Sequence, residues 1–259
     1  MHEVAIASCS EIGARSRNED CLAHGALASG WYAVLADGAG GHRDGAVAAE
    51  LVVRVAARAL QTRAAHEALQ PQALGQIVRD AHDALNREQE GLRGRQRMHA
   101  TLVLLWIDAG HRHALWSHVG DSRLYLLRRG RVDRVTRDDS AVQHLVDAGL
   151  LTPEQAGEHP SRHQLIAALG SDEPIEPHLG DGALALTDGD VLLLCSDGWY
   201  ELLAVADIEA TLARAATADA WLAAMADLVR EGQRANQDNF SAIAVWNGNP
   251  TEITRFGAP

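Results

Sequence analysis

Between Ala100 and Val135, three apolar runs at residues 101–107, 113–119 and 124–127 follow one another, broken only at 108–112, 120–121 and 129–130. Parallel neighbours need a crossover of roughly a dozen residues, and these breaks are too short to supply one. The stretch therefore reads as an antiparallel meander, and a parallel, nucleotide-binding sheet is disfavoured. Further Val-, Leu- and Trp-rich runs bounded by Gly and Asp, at 31–36, 191–195 and 241–246, also read as strands. Helical periodicity covers 46–65, opened by Asp44, then 71–89, 141–148, 208–216 and 219–231. These helices come in pairs, not singly after each strand, which points to an α+β sandwich of antiparallel sheets. No internal repeat or low-complexity tract interrupts the pattern.

A chain of 259 residues with no Pro/Gly/Ser-rich linker is expected to form a single domain spanning 1–259. At this size roughly 70 to 75% of the unfolded surface is buried, so neither disulfides nor a structural metal are needed, and any metal is expected to be functional. The 35 acidic against 23 basic side chains give a net charge of -12, which argues against nucleic acid and anionic membrane as partners. Every basic side chain counted there is Arg, which together with abundant Ala reads as a GC-rich bacterial coding background. Cys9, Cys21 and Cys195 form an odd set without paired spacing, as expected in a reducing cytoplasm. Residues 1–10 lack a basic then apolar signal, and no apolar stretch nears the roughly 18 residues of a membrane span. A cytoplasmic monomer, neither secreted nor anchored, is expected.

The chemistry lies at the strand ends. Asp37 closes the run at 31–36 and is followed by Gly38; Asp197 follows the run at 191–195 and precedes Gly198. Each Asp-Gly alone reads most simply as a turn. Two matched contexts, with Asp121 at a strand junction and Asp238 just before the last strand, allow four acids to meet on one rim. Convergent carboxylates repel unless a cation neutralises them. With oxygen donors only and no Cys or His at zinc-like spacing, Mg²⁺ or Mn²⁺ is favoured and zinc disfavoured. His111 and His113 fall in a hairpin turn with no acidic or thiol companion. His42 and His118 lie near the acids as outer supports or proton donors, with packed or surface histidines as the simpler reading. Arg15, four residues before Glu19, suits bidentate phosphate recognition, against the alternative of a solvated charge cluster.

Five blocks in order, Arg15-x-x-Asn18-Glu19-Asp20, Asp37-Gly38-Ala39-Gly40-Gly41, His118-Val-Gly-Asp121-Ser-Arg123, Ser196-Asp197-Gly198 and Asp238-Asn239, resemble the metal-dependent Ser/Thr protein phosphatases, also called protein phosphatase 2C. Each block is weak alone, but their order across residues 15–239 is specific. The resemblance implies a four-layer α/β/β/α sandwich of two antiparallel sheets flanked by helix pairs. It implies that Asp37 bridges two central ions, that Asp197 and Asp238 also ligate the first, and that Glu19 and the Gly38 carbonyl ligate the second. It further implies that Asp121 and Asp197 hold a third, weaker ion, that Arg15 binds phosphate, and that Asp20 and Asn239 support the ligands. Residues 141–163 resemble the bacterial flap over the site. The implied reaction is hydrolysis of phosphoserine or phosphothreonine by a water activated between two cations, without a covalent intermediate.

Eukaryotic members carry a His where this chain has Ala39, so protonation of the leaving group falls to another group. The usual Thr-Thr before the central strand is reduced to Ala100-Thr101. A compact chain of this kind also resembles stand-alone phosphatases that oppose a Ser/Thr kinase, including those of type VI secretion. The alternative is a catalytically weak pseudophosphatase serving as a phosphoprotein-binding module, which would have no need to keep mutually repelling acids. A calcium-binding protein is disfavoured because no contiguous twelve-residue ligand loop occurs.

Overall fold

The computed structural model describes residues 4–39, 45–232 and 236–250. One sheet contains β1 (Val4–Glu11), β7 (Arg123–Arg128), β8 (Arg131–Val135), β11 (Asp190–Cys195) and β12 (Phe240–Asn247), in the order β1-β12-β11-β7-β8. The second contains β2 (Asp20–Leu27), β3 (Gly30–Ala39), β5 (Leu102–Asp108), β6 (His113–Val119) and β10 (Leu184–Ala185), in the order β10-β6-β5-β3-β2, with short β4 (His99–Ala100) on β3 and β9 (His178–Leu179) on β6. Every pairing is antiparallel. Seven α-helices complete the described chain: α1 (Gly45–Ala64), α2 (Pro71–Glu88), α3 (Ala141–Asp147), α4 (Pro153–Glu158), α5 (Asp197–Tyr200), α6 (Val205–Leu212) and α7 (Ala218–Glu231). None of the helices among the described residues is long and apolar enough to cross a membrane.

Neighbouring residues on the central strands point to different cores. Leu35, Val103 and Leu105 meet Leu192, Leu194, Ile243 and Val245 between the sheets. Their neighbours Val34, Leu102 and Leu104 pack outward on Val52 and Leu60 of α1 and Leu74 and Ile77 of α2. On the other sheet, Leu193, Cys195 and Trp246 pack outward on Ile208 of α6 and on Trp221 and Met225 of α7. Burial on both faces is why these strands read as continuous apolar runs instead of alternating ones.

Three expectations need correction. The stretch from Ala100 to Val135 is not one meander: β5 and β6 form a hairpin in one sheet, and β7 and β8 form a hairpin in the other. The chain changes sheets at Gly120, whose φ of +99° and near-contact with Thr101 leave no room for a side chain. Residues 142–160 are not merely a loop, because Pro153 begins α4 instead of breaking structure. Proline suits the first helical position, and a capping box between Thr152 and Gln155 secures the start (3.3 and 2.8 Å). β1 and β2 also form where no strand was expected. Their Ala-, Ser-, Cys- and Gly-rich sequences carry little intrinsic strand signal, and pairing with β12 and β3 supplies the order. The proposed helix opener Asp44 lies outside the described residues.

At one end of the sandwich the ends of β1, β3 and β11 lie beside the starts of β2, β5, β7 and β12, as the registers Asp20↔Asp37, Glu11↔Phe240 and Cys195↔Arg123 show. The acids therefore meet where the two sheets come together, not on one sheet's edge.

Candidate metal centre

Asp37 is anchored through its backbone. Its N–H donates to the Thr101 hydroxyl (2.9 Å), its carbonyl accepts the Thr101 N–H (2.8 Å), and the Thr101 hydroxyl is bonded in turn to that of Ser122 (2.7 Å). The Gly38 N–H donates to the Glu19 carbonyl (3.0 Å), and the Glu19 N–H donates to Asn239 Oδ1 (2.8 Å). Asn239 Nδ2 also donates to the Ile12 and Arg17 carbonyls (both 2.8 Å), so one amide fixes the loop that presents Arg15 and Glu19. Asp20 sits beneath this floor, where its Oδ2 accepts the Ser196 hydroxyl (2.8 Å).

Three glycines keep this end of the molecule tight. A Cβ on Gly38 would run into the Gly45 backbone, and one on Gly198 into the Asn239 carbonyl. A Cβ on Gly45 would stand 2.6 Å from the Gly38 carbonyl oxygen and 2.8 Å from Glu19 Oε2. The Gly38 carbonyl and the Glu19 carboxylate thus share a recess that any larger residue at 45 would fill.

Arg15, Glu19, Asp37, Gly38, Asp121, Asp197, Asp238 and Asn239 border one cleft of about 610 Å³, while Asp20 does not line it. Burial, followed by the charges of Asp20, Asp197, Asp121 and Asp238, holds the Asp37 carboxyl well above the ordinary carboxylate range. Asp121 is raised in the same way, by burial and then by Asp197 and Asp138. Burial pushes Asp20 up to about 7 against the opposing hydrogen bonds of Ser241 and Ser196. Acids kept this close without a counter-charge raise one another's proton affinity, and a multivalent cation reverses that. Asp20 Oδ1 and Asp197 Oδ1 are buried without a hydrogen-bond partner, leaving acceptor capacity of the kind a hard cation or its water shell takes up. Oxygen-only donors around a glycine-lined recess fit divalent cations.

Arg15 Nη2 donates to Asp238 Oδ2 at 2.6 Å, while Asp238 Oδ1 accepts the Asn239 N–H (2.8 Å). The guanidinium stands at the cleft mouth, paired with an expected cation ligand.

Several contributors carry no sequence motif. His163 Nδ1 lies 3.2 Å from Glu201 Oε1 and 3.7 Å from Asp197 Oδ2. The spacing of Glu201 four residues after Asp197 was a legible signal for that pair; a single His among 13 was not. Gly45 had no signal, because its importance lies in a contact with residue 19. Arg123, inside a recognised block, grips Asp138 with two hydrogen bonds (2.9 and 2.8 Å) and lies 3.5 Å over the Tyr200 ring. A second cavity of about 430 Å³ runs from Asp121, His163 and Asp197 to Val142, Val146, Pro153 and Ala156 of α3 and α4.

His118 does not line the cleft: it is buried, bonded through Nε2 to the Arg137 carbonyl (2.9 Å) and stacked on His178. His113 pairs with Asp108 (3.0 Å), and His42 lies outside the described residues.

A family model described as Protein phosphatase 2C matches residues 9–240. The serine/threonine protein phosphatase PstP of Mycobacterium tuberculosis is 39% identical over 184 residues, covering 71% of this chain and 34% of that protein. The chain thus matches only about a third of that relative's length. Protein phosphatase PhpP of Streptococcus pneumoniae is 34% identical over 199 residues, covering 75% of this chain and 78% of the relative. The solved catalytic domain of PstP in complex with two manganese ions superposes with a TM-score of 0.77 at 30% identity, covering 94% of this chain and 98% of that one.

Proposed function

The chain belongs to the protein phosphatase 2C family, and on that ground we propose that it is a metal-dependent protein serine/threonine phosphatase acting on phosphoserine and phosphothreonine in proteins, opposing a bacterial Ser/Thr kinase. The observation that carries this reading is the convergence of Arg15, Glu19, Asp37, Gly38, Asp121, Asp197 and Asp238, drawn from both sheets, on one cleft. A module that only binds phosphoproteins gains nothing from carboxylates that raise one another's proton affinity.

In this reading Asp37 is shared by two central cations, Mg²⁺ or Mn²⁺. Asp197 and Asp238 complete the first site, Glu19 and the Gly38 carbonyl serve the second, and Asp121 with Asp197 serves a weaker third. When bound, the cations supply Lewis acidity, making a water acidic enough to attack at neutral pH and offsetting charge on the phosphoryl oxygens. The chain's own residues do the placing. Thr101 sets the angle of Asp37 through the backbone, Asn239 sets Glu19, and Ser196 holds Asp20 beneath them. Arg15 leaves Asp238 for the substrate phosphate once a cation takes that carboxylate, exchanging a half-exposed ion pair for a bidentate one. With Ala39 at the position of the eukaryotic His, no protein acid is assigned to the leaving group.

The three core layers support a four-layer α/β/β/α sandwich as one catalytic domain over residues 1–259, with residues 141–163 as a flap beside the cleft. Three free thiols support a cytoplasmic setting. The decisive test is hydrolysis of a chromogenic aryl phosphate and of a phosphopeptide with Mn²⁺, with Mg²⁺ and with excess chelator. Turnover that the chelator abolishes and Mn²⁺ restores is expected; turnover absent under every condition would leave a binding module.

A further inference from the structure

His163 is the one side chain of the flap segment that reaches a carboxylate of the cleft. The backbone around it is pinned: the Ala141 N–H donates to the Gln164 carbonyl (2.8 Å), the Ile166 N–H to the Asp139 carbonyl (2.8 Å), and Ser140 forms a bridge with Leu165. Across from it, the Glu201 N–H donates to the Asp197 carbonyl (3.0 Å), so the two acids leave the same turn, four residues apart, on one face. One ligand atom from each of His163, Asp197 and Glu201 lies within 4.8 Å of the other two. Bonds of about 2.0–2.2 Å around a small divalent cation set neighbouring donors about 3 to 3.5 Å apart. The His163–Glu201 separation of 3.2 Å already meets that, and the His163–Asp197 separation of 3.7 Å needs only a small approach. Asp197 Oδ1 is buried and without a partner, so this carboxylate has acceptor capacity beyond its contact with His163.

We propose that His163, Asp197 and Glu201 form a further divalent-cation site, selective for zinc over magnesium, that fastens the flap to the floor of the cleft. Imidazole nitrogen suits zinc, whereas Mg²⁺ holds oxygen donors in near-ideal octahedral geometry and parts with its water reluctantly. The competing cation in the protein is weak: Arg162 Nε lies 3.7 Å from Glu201 Oε1, and both side chains are about one-third exposed (35% and 29%). His163 and Asp197 border both cavities, so a bound ion there closes the passage between them. The proposal rests on the phosphatase reading only in sharing Asp197 with the central ions.

The test titrates Zn²⁺ into the full chain in saturating Mg²⁺ by calorimetry, with Co²⁺ absorption as the reporter of nitrogen ligation. One zinc that magnesium does not displace is expected. His163→Gln and Glu201→Gln are each expected to weaken it at least tenfold, and Asp238→Asn, in the central cleft, to retain it. Zinc is expected to protect residues 150–159 from proteolysis in the wild type and not in His163→Gln, with matching melting temperatures showing that the variant folds. Zinc fully displaced by magnesium, or bound equally by folded His163→Gln, overturns the proposal. A wild type that turns over aryl phosphate with Mg²⁺ yet lacks this zinc sinks the proposal alone; one that holds the zinc but is inactive sinks the phosphatase reading alone.

Discussion

The floor of the cleft, from Glu19 and Asp37 to Asp238, is held by backbone bonds: Asp37 exchanges two with Thr101, Gly38 and Glu19 are tied to each other, and Asn239 gathers two loop carbonyls. The facing wall, residues 141–163, meets the cleft through side chains on short helices, with His163 half exposed and Leu150 69% exposed. Backbone bonds between sheets cannot shift singly, whereas side chains on a surface segment can. Changes in the floor should therefore be read as cation affinity, and changes in the wall as choice of substrate.

The largest effect should come from Asp37→Asn, which keeps shape and removes the shared charge. Metal-dependent turnover should fall by about a thousandfold or more, with both central ions weakened in calorimetry. Unchanged two-ion binding would remove Asp37 from the bridge and blur the contrast. Gly45→Ala sharpens it further, since the added methyl touches no substrate yet enters the recess of Glu19 and the Gly38 carbonyl. Roughly ten- to a hundredfold weaker binding of one ion is expected, as for other changes that displace ligands indirectly. Wild-type affinity in that variant would mean that the recess is not a ligand site.

Asp20→Asn probes the floor without cations. The folded carboxyl titrates at about 7 against an ordinary 3.8, so the fold holds this proton more tightly than the unfolded chain does. That stability is fully present below pH 3.8 and is lost as pH rises through 7. In chelator, the wild-type melting temperature should fall between pH 4.5 and 8, and Asn, which cannot ionise, should recover about 2 kcal/mol at the alkaline end. Parallel melting curves for the two proteins would refute this.

Arg15→Lys should raise KM about tenfold while leaving cation affinity in place, because a point charge replaces a bidentate donor. Its competition with Asp238 adds a direct check: phosphate affinity should rise when cations are present. The smallest effect belongs to the wall. Replacing residues 150–159 by a Gly/Ser linker should slow phosphopeptide turnover about fivefold more than aryl phosphate turnover. Equal proportional losses would make the wall part of the metal support and erase the distinction between the regions.

How much of this was legible in the sequence depends on where each residue's surroundings come from. The buried central strands announced themselves because both faces are packed, and Asp37, Asp121, Asp197 and Asp238 stood out at strand ends. Strands β1 and β2 did not, since Ala, Ser, Cys and Gly take on strand geometry here only through their partners. The sequence by itself determined the antiparallel α+β class, the ordered acidic motifs and the oxygen-donor chemistry, all of which rest on residue type and short-range spacing. The tertiary structure alone decided that the chain changes sheets at Gly120, that Gly45 lines the recess of Glu19, and that His163 faces Asp197 and Glu201. Contacts between residues tens of positions apart depend on how two sheets stack and where a surface segment folds back, and no local periodicity encodes that distance.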